Sequence, residues 1–222
     1  IVPKIHILER YVSLLMRWNR RMNLTAIRDE TSIWSLHLLD CLAVLPLLRE
    51  RLQPLMSRNM GSNDGETISV LDAGTGAGLP AMPLSLGEPS WKIFAVDAVD
   101  KKVSFVRQAA AQLGLGGLIP IHARLEQLSL DAEDQPALPR RGFDLIVSRA
   151  YASLRDFVCH THHLLHPEGI FCAMKGREPR AEIEALKADF PAWSYEVVSL
   201  RVPGLDAQRC AVIMQRRKDR SV

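Results

Sequence analysis

The chain has 222 residues, 47% hydrophobic and 24% charged, with 28 Lys and Arg against 25 Asp and Glu. At roughly 100–200 residues per domain this is one domain, able to bury about 70% of the surface its unfolded chain exposes without a disulfide or metal staple. The composition excludes a disordered or fibrous chain, no apolar run approaches the ~20 residues of a membrane span, and a net charge of +3 is only mildly basic.

The N-terminal IVPKIHILERYVSLL mixes charge with apolar residues and makes no signal-peptide core, and a start at Ile1 instead of Met suggests a trimmed N-terminus. Ile5, Leu8, Val12, Leu15 and Met16 recur at helical spacing, with Trp18 following. Six basic residues fall in 1–30 (Lys4, Arg10, Arg17, Arg20, Arg21 and Arg28) against Glu9, Asp29 and Glu30. A second helical run covers Ile33 to Leu48, with Thr31 or Ser32 as cap and Pro46 near its end. Residues 57–66, SRNMGSNDGE, read as a loop. The spacing thus predicts a helical extension over 1–56, the loop, and a sheet domain over 67–222 in one compact unit, with a monomer as the default expectation.

Beyond the loop the rhythm becomes strand, helix, strand. Strands are expected near 68–73, 92–97, 118–122, 143–148 and 169–175, and helices near 80–87, 100–113, 151–165 and 180–189. This is the pattern of parallel βαβ units. YEVVSLRVP and RCAVIMQR, joined by a short GLDAQ connection, then read as a hairpin with an antiparallel last strand. A doubly wound α/β sheet of seven mostly parallel strands ending in such a hairpin is the architecture of class I methyltransferases. The last 22 residues hold six more basic residues, among them Arg216, Arg217 and Lys218. Basic ends suit a phosphate backbone, or simply a solvated surface. Cys41, Cys159, Cys172 and Cys210 form no C-x-x-C pair, as expected of reduced thiols in a cytoplasmic protein.

The most informative stretch is Val70-Leu71-Asp72-Ala73-Gly74-Thr75-Gly76-Ala77-Gly78-Leu79-Pro80. Glycines let a ligand approach the backbone closely. A dinucleotide fingerprint would need Gly or Ala where Leu79 stands, and a P-loop would need G-K-S/T. The D-x-G-x-G-x-G form looks like the first motif of S-adenosylmethionine (SAM) enzymes. Asp97 ends the second strand, 23 residues after Gly74, where a carboxylate can accept hydrogen bonds from ribose hydroxyls or cap the next helix. Three further strand ends point at the same crevice: Ala123-Arg124-Leu125-Glu126, Ser148-Arg149-Ala150-Tyr151 and Met174-Lys175-Gly176. Arg149 is a ligand contact or a surface ion pair, Lys175 a phosphate contact or solvated, and Tyr151 stacks on a base or packs in the core. Cys159, His162 or His163, and His166 would share one face of a helix, but zinc wants a fourth ligand. Solvated histidines and no metal are therefore expected across His160–His166.

With these residues placed, the chain resembles the bacterial 16S ribosomal RNA guanine-N7 methyltransferases (RsmG), formerly glucose-inhibited division protein B. WNRRMNLTAIRD at 18–29, HLLDCLAVLP at 37–46, LDAGTGAGLPAMPL at 71–84, VSRAYASL at 147–154 and AMKG at 173–176 carry the resemblance. It implies a SAM site at Gly74, Gly76, Gly78, Leu79, Leu125, Glu126 and Arg149, with Asp97 at the ribose. It also implies an RNA partner: one guanine of 16S rRNA, in the small subunit or an assembly intermediate. Ala81, where relatives often have Gly, and Val96-Asp97-Ala98, where they often have L-D-S, depart slightly. Arg17, Arg20, Arg21, Lys175, Arg216, Arg217 and Lys218 are the candidate RNA contacts.

The absences agree with attack by guanine N7. Strand four is followed by no N-P-P-Y or D-P-P-Y motif, as amine methylation uses, and no Cys follows a Pro, as pyrimidine-carbon methylation prefers. Guanine N7 already offers a free lone pair, so orientation and water exclusion carry most of the catalysis. In an A-form duplex N7 is out of reach, so the base must be unpaired or flipped. The alternatives are a SAM enzyme acting on another RNA, a small molecule or a protein, and a dinucleotide oxidoreductase, which the glycine spacing disfavours.

Overall fold

The computed structural model describes residues 2–59, 67–131 and 138–217. Seven strands form one sheet in the order β3-β2-β1-β4-β5-β7-β6. They are β1 (Ser69–Ala73), β2 (Lys92–Asp97), β3 (Leu118–His122), β4 (Phe143–Arg149), β5 (Leu165–Lys175), β6 (Trp193–Ser199) and β7 (Cys210–Arg216). The first five run parallel, and β7 lies antiparallel between β5 and β6. Every residue of β1 is buried, as a parallel strand covered on both faces requires. The strand order reverses between β1 and β4, and open sheets bind ligands at the carboxyl ends beside such a point. This is the doubly wound sheet with an antiparallel end that the sequence predicts.

Helices cover both faces. On one lie α1 (Val2–Met22), α2 (Glu30–Ile33), α3 (Asp40–Ala43), α4 (Leu45–Asn59), α5 (Ala81–Gly87) and α6 (Asp100–Leu113); on the other lie α7 (Leu154–Thr161) and α8 (Arg180–Asp189). The α1 stripe Leu8, Tyr11, Val12 and Leu15 is buried in the same cluster as Val70 and Ile93 of the sheet, so the N-terminal helices share the sheet's core. Phe94, Phe143, Phe157, Phe171 and Trp193 fill the opposite face.

The second helical run departs from expectation in three ways. Its cap is Asp29, which accepts from the Ser32 amide at 2.8 Å, not Thr31 or Ser32. It does not stop near Pro46: that proline falls in the first turn of α4, where its missing N–H costs nothing, and the helix continues to Asn59, into the expected loop. Between α2 and α3 it widens into a π-helical stretch, Trp34–Leu39. Contrary to the expectation that no apolar run approaches a membrane span, the helical run Glu30–Leu55 is long and apolar enough, by length and composition, to cross one. Ile33, Leu38, Cys41, Val44, Leu48 and Leu52 are fully buried, so its apolar face is engaged by the core.

The helix expected over 151–165 ends at Thr161, passes through a 3-10 turn at His162–Leu164, and β5 begins at Leu165. The strand must start early because Leu165 pairs with Phe143 before a register shift. Gly142 makes this close approach possible. Its φ is +91°, and a Cβ there would lie 2.7 Å from the His166 amide nitrogen and 2.9 Å from the Leu164 carbonyl oxygen. Gly142→Ala should therefore lower unfolding free energy by at least about 2 kcal/mol, combining left-handed strain with a backbone clash. Urea denaturation checks this, and an unchanged midpoint would contradict it.

Candidate functional site

Beyond β1 the chain turns through Gly74, Gly76 and Gly78, all at positive φ. The amides of Gly74 and Thr75 both donate to the Val96 carbonyl at 2.9 Å, locking the turn onto β2. Below it Asp72 is fully buried, and its Oδ2 accepts from the Thr75 hydroxyl at 2.6 Å and the Ala81 amide at 3.0 Å. Burial pushes this carboxyl up to about 7, and its Oδ1 has no hydrogen-bond partner. The buried Tyr11 hydroxyl of α1 donates to the Ala77 carbonyl at 2.8 Å, so the N-terminal extension holds the turn from beneath.

Asp97 stands at the end of β2, where it accepts from two backbone amides but caps no amide inside α6. One carboxylate oxygen accepts from the Gly76 amide at 3.0 Å and the other from the Val99 amide at 2.9 Å, ahead of α6. Each carboxylate oxygen has a second lone-pair site, so the group can still accept from two hydroxyls. It faces a cleft of about 240 Å³ lined by Gly74, Asp97, Ala98, Ala123, Arg124, Leu125, Glu126, Tyr151 and His160. A Cβ on Gly74 would lie 3.4 Å from the Tyr151 ring, so the absent side chain lets that ring close one wall. The Tyr151 hydroxyl is 2.9 Å from His160 Nδ1. Burial first, then Glu126, pushes the phenol up to about 12, so it stays protonated.

The cleft thus gathers Gly74, Asp97, Leu125 and Glu126 of the residues singled out in the sequence. Gly76 and Gly78 shape the turn without lining it, and the Leu79 side chain is packed in the core. Arg149 does not line it either. Lys175 is neither solvated nor free: its Nζ lies 2.9 Å from Glu182 Oε2. Arg17, Arg20 and Arg21 are exposed on α1. Arg216 and Arg217 are exposed, but antiparallel β7 carries them to the far end of the sheet: Cys210 pairs with Lys175 and Met214 with Phe171. At about 3.3 Å per residue, that is some 20 Å from the ligand end, so they do not join the crevice. Lys218 lies outside the described residues. The Cys159–His166 face does not form, because the helix ends at Thr161 and His166 stands on β5; among the described residues no three His, Cys, Asp or Glu side chains gather to hold a metal.

Arg149 instead turns into a network that was not legible from the sequence. Its guanidinium donates to the Leu36 carbonyl at 2.9 Å, to Asp40 Oδ2 at 3.3 Å and to His37 Nδ1 at 3.0 Å. Asp40 Oδ1 accepts from Arg209 Nε at 2.8 Å, and His37 Nε2 meets the Thr25 hydroxyl at 2.8 Å. Arg149 can only donate, so its contact favours an accepting Nδ1 with the proton on Nε2, against the pull of the Leu36 carbonyl 3.1 Å from Nδ1. Burial, then the Arg149 charge, pushes His37 down to about 4. Thr25, His37 and Asp40 do fall within the two N-terminal segments that carry the family resemblance, which was the available signal; nothing marked Arg209.

Comparison with known proteins finds relatives over nearly the whole chain. A family model described as rRNA small subunit methyltransferase G (GidB) matches residues 4–211. A protein of Methylibium petroleiphilum named ribosomal RNA small subunit methyltransferase G is 40% identical over 208 residues, covering 94% of this chain and 84% of the relative. A protein of the same name from Leptothrix cholodnii is 44% identical over 207 residues, covering 93% and 84%. Among solved structures, a Thermus thermophilus 16S rRNA N2 G1207 methyltransferase in complex with AdoMet and guanosine superposes with a TM-score of 0.52 at 20% identity, over 81% of this chain and 43% of that one. TrmN from Thermus thermophilus gives 0.51 at 19% identity, over 74% and 48%. At these identities the structures speak to the fold, which they share.

The His37 environment sets a pH dependence. Between pH 6.5 and about 4 the unfolded chain binds a proton at His37 that the folded chain refuses. This group therefore lowers stability as pH falls through that window. Unfolding free energies at pH 6.5 and 4.5 should differ by less in His37→Gln than in the unaltered protein; equal differences would contradict the assignment.

Proposed function

Since the chain belongs to the rRNA small subunit methyltransferase G family, we propose that it transfers a methyl group from SAM to N7 of one guanine in 16S ribosomal RNA. The observation that carries this is the strand-end cleft that gathers Gly74, Asp97, Leu125 and Glu126 behind a glycine turn. In this reading the acceptor capacity that Asp97 retains serves the two ribose hydroxyls, and Leu125 and Glu126 flank the adenine. SAM supplies an electrophilic methyl group on a sulfonium. The chain's part is to bind, orient and exclude water.

The segment leaving β4 supports N7 as the acceptor. Ser148, Arg149, Ala150 and Tyr151 include no carboxylate. Ser148 donates to the Ala73 carbonyl at 3.0 Å, and Arg149 is engaged by Leu36, His37 and Asp40. Tyr151 holds its proton. This segment offers no base to strip an amine, and N7 needs none. The reading places the enzyme in the cytoplasm, as a monomer working on the small subunit or its assembly intermediate, with the N-terminal helices and the sheet acting as one unit.

The decisive test incubates the protein and SAM with 16S rRNA from cells lacking the enzyme, free or in small subunits, followed by nucleoside mass spectrometry. The expected product is 7-methylguanosine, and a different methylated nucleoside would overturn the assignment. Two predictions sharpen it. Asp97→Ala should weaken SAM binding by about 1.5–3 kcal/mol, the worth of hydrogen bonds to a charged acceptor, and unchanged affinity by calorimetry would retire Asp97 as the ribose ligand. Single-turnover transfer at saturating substrates should be nearly flat from about pH 6 to 9, since no proton leaves N7. A tenfold rise per pH unit in the lower half of that range would indicate a titrating base.

A further inference from the structure

We propose that the cleft under the β6–β7 connection binds the RNA backbone next to the target nucleotide, with Arg177 and Arg201 as its phosphate contacts; this rests on the proposed rRNA activity. The connection spans residues 200–209. Its first and last residues stay paired, Leu200 N donating to the Arg209 carbonyl at 2.8 Å, and the stretch between folds over on itself through a turn from Leu205 N to the Val202 carbonyl at 3.1 Å. Val202 is buried beneath it. Arg209 ties its end to Asp40, the residue that also holds Arg149. The fold-over leaves a cleft of about 830 Å³, far larger than the cofactor cleft, between this connection and the Arg177-Glu178 segment leaving β5.

Its position decides what it serves. Cys210 pairs with Lys175 on one side and Ser199 on the other, so the cleft opens at the carboxyl end of β5, on the same edge of the sheet as the glycine turn. Its charge is also one-sided. Arg177 and Arg201 are exposed and make no ion pair among the described residues, while Arg209 is already paired with Asp40. Of the two acids lining it, Glu178 is taken up by Arg180 at 3.0 Å, which leaves Asp206. Flexible guanidiniums over a roomy, water-accessible cleft suit phosphate oxygens, which accept two parallel N–H bonds from one Arg. A guanine delivered to the crevice beside β4 must bring its flanking chain across a neighbouring strand end, and this is the cationic one. Arg216 and Arg217, at the opposite end of the sheet, serve as the internal control.

The test compares Arg177→Gln/Arg201→Gln with Arg216→Gln/Arg217→Gln for binding to deproteinised 16S rRNA over a salt series, with SAM affinity and the urea midpoint as checks of the fold. Two phosphate contacts on single-stranded RNA contribute about 1.4 to the log–log salt slope, hence about 25-fold in affinity at 0.1 M salt. The first pair should lose that much slope and affinity while keeping SAM affinity, and the control pair should lose neither. Unchanged slope and affinity in a folded Arg177/Arg201 variant would overturn the proposal. So would normal methylation of deproteinised rRNA with failure only on intact small subunits, which would make the cleft a contact for a ribosomal protein. An unaltered protein that methylates no form of rRNA would instead bring down the parent reading, a result visible before any variant is made.

Discussion

The arrangement turns on one mostly buried cation. Arg149 ends β4 at the centre of the sheet, and a guanidinium cannot shed its charge, so the fold has to supply acceptors around it. They come from places distant in sequence. Leu36, His37 and Asp40 come from the N-terminal helices, and through Asp40 the pairing extends to Arg209 at the foot of the β6–β7 connection. Two guanidiniums sharing one carboxylate fix the distance between the helical extension and the far hairpin. The neutral His37 completes the shell, because a protonated ring there would set two cations 3.0 Å apart.

The glycine turn is held by the same logic on a smaller scale. Asp97 beside it takes up the Gly76 amide, Asp72 below takes up the Thr75 hydroxyl and the Ala81 amide that opens α5, and Tyr11 reaches in from α1. The turn is therefore pre-set by groups that do not face the ligand, and this is how a rigid backbone cradle is built from residues that tolerate almost any conformation. The buried thiol of Cys41, pushed up to about 12 mainly by burial, sits near Arg149 without chemistry of its own.

The sequence discloses structure where its signals are local. Strand and helix rhythm, the glycine spacing and Asp97 are written in short windows, and each lands where the chain places it. The terminal hairpin was equally visible, because alternation and a Gly-containing turn sit side by side. The pairing of Arg149 with residues more than a hundred positions earlier leaves no local trace, so Arg149 read as a ligand contact or a surface pair and Asp40 as nothing in particular. The distance of the C-terminal arginines from the crevice has a topological reason. Composition showed a basic end, but only the strand direction tells which edge of the sheet that end reaches. The helix expected through the histidine run is shorter because Thr161 and the early start of β5 end it.

The π-helical stretch at Trp34–Leu39 carries a further consequence. A π turn accommodates one residue more than an α turn, so every side chain after it is rotated by about 100° from where an uninterrupted α-helix would put it. Asp40 faces Arg149, and Leu48 and Leu52 face the core, only because of that phase shift. The segment is thus governed by residue count more than by residue identity. A conservative exchange within it leaves the phase intact, whereas deleting one residue would let the helix relax to regular α geometry and swing Asp40 off its two arginines. Length variation here should therefore be much rarer among functional sequences than substitution.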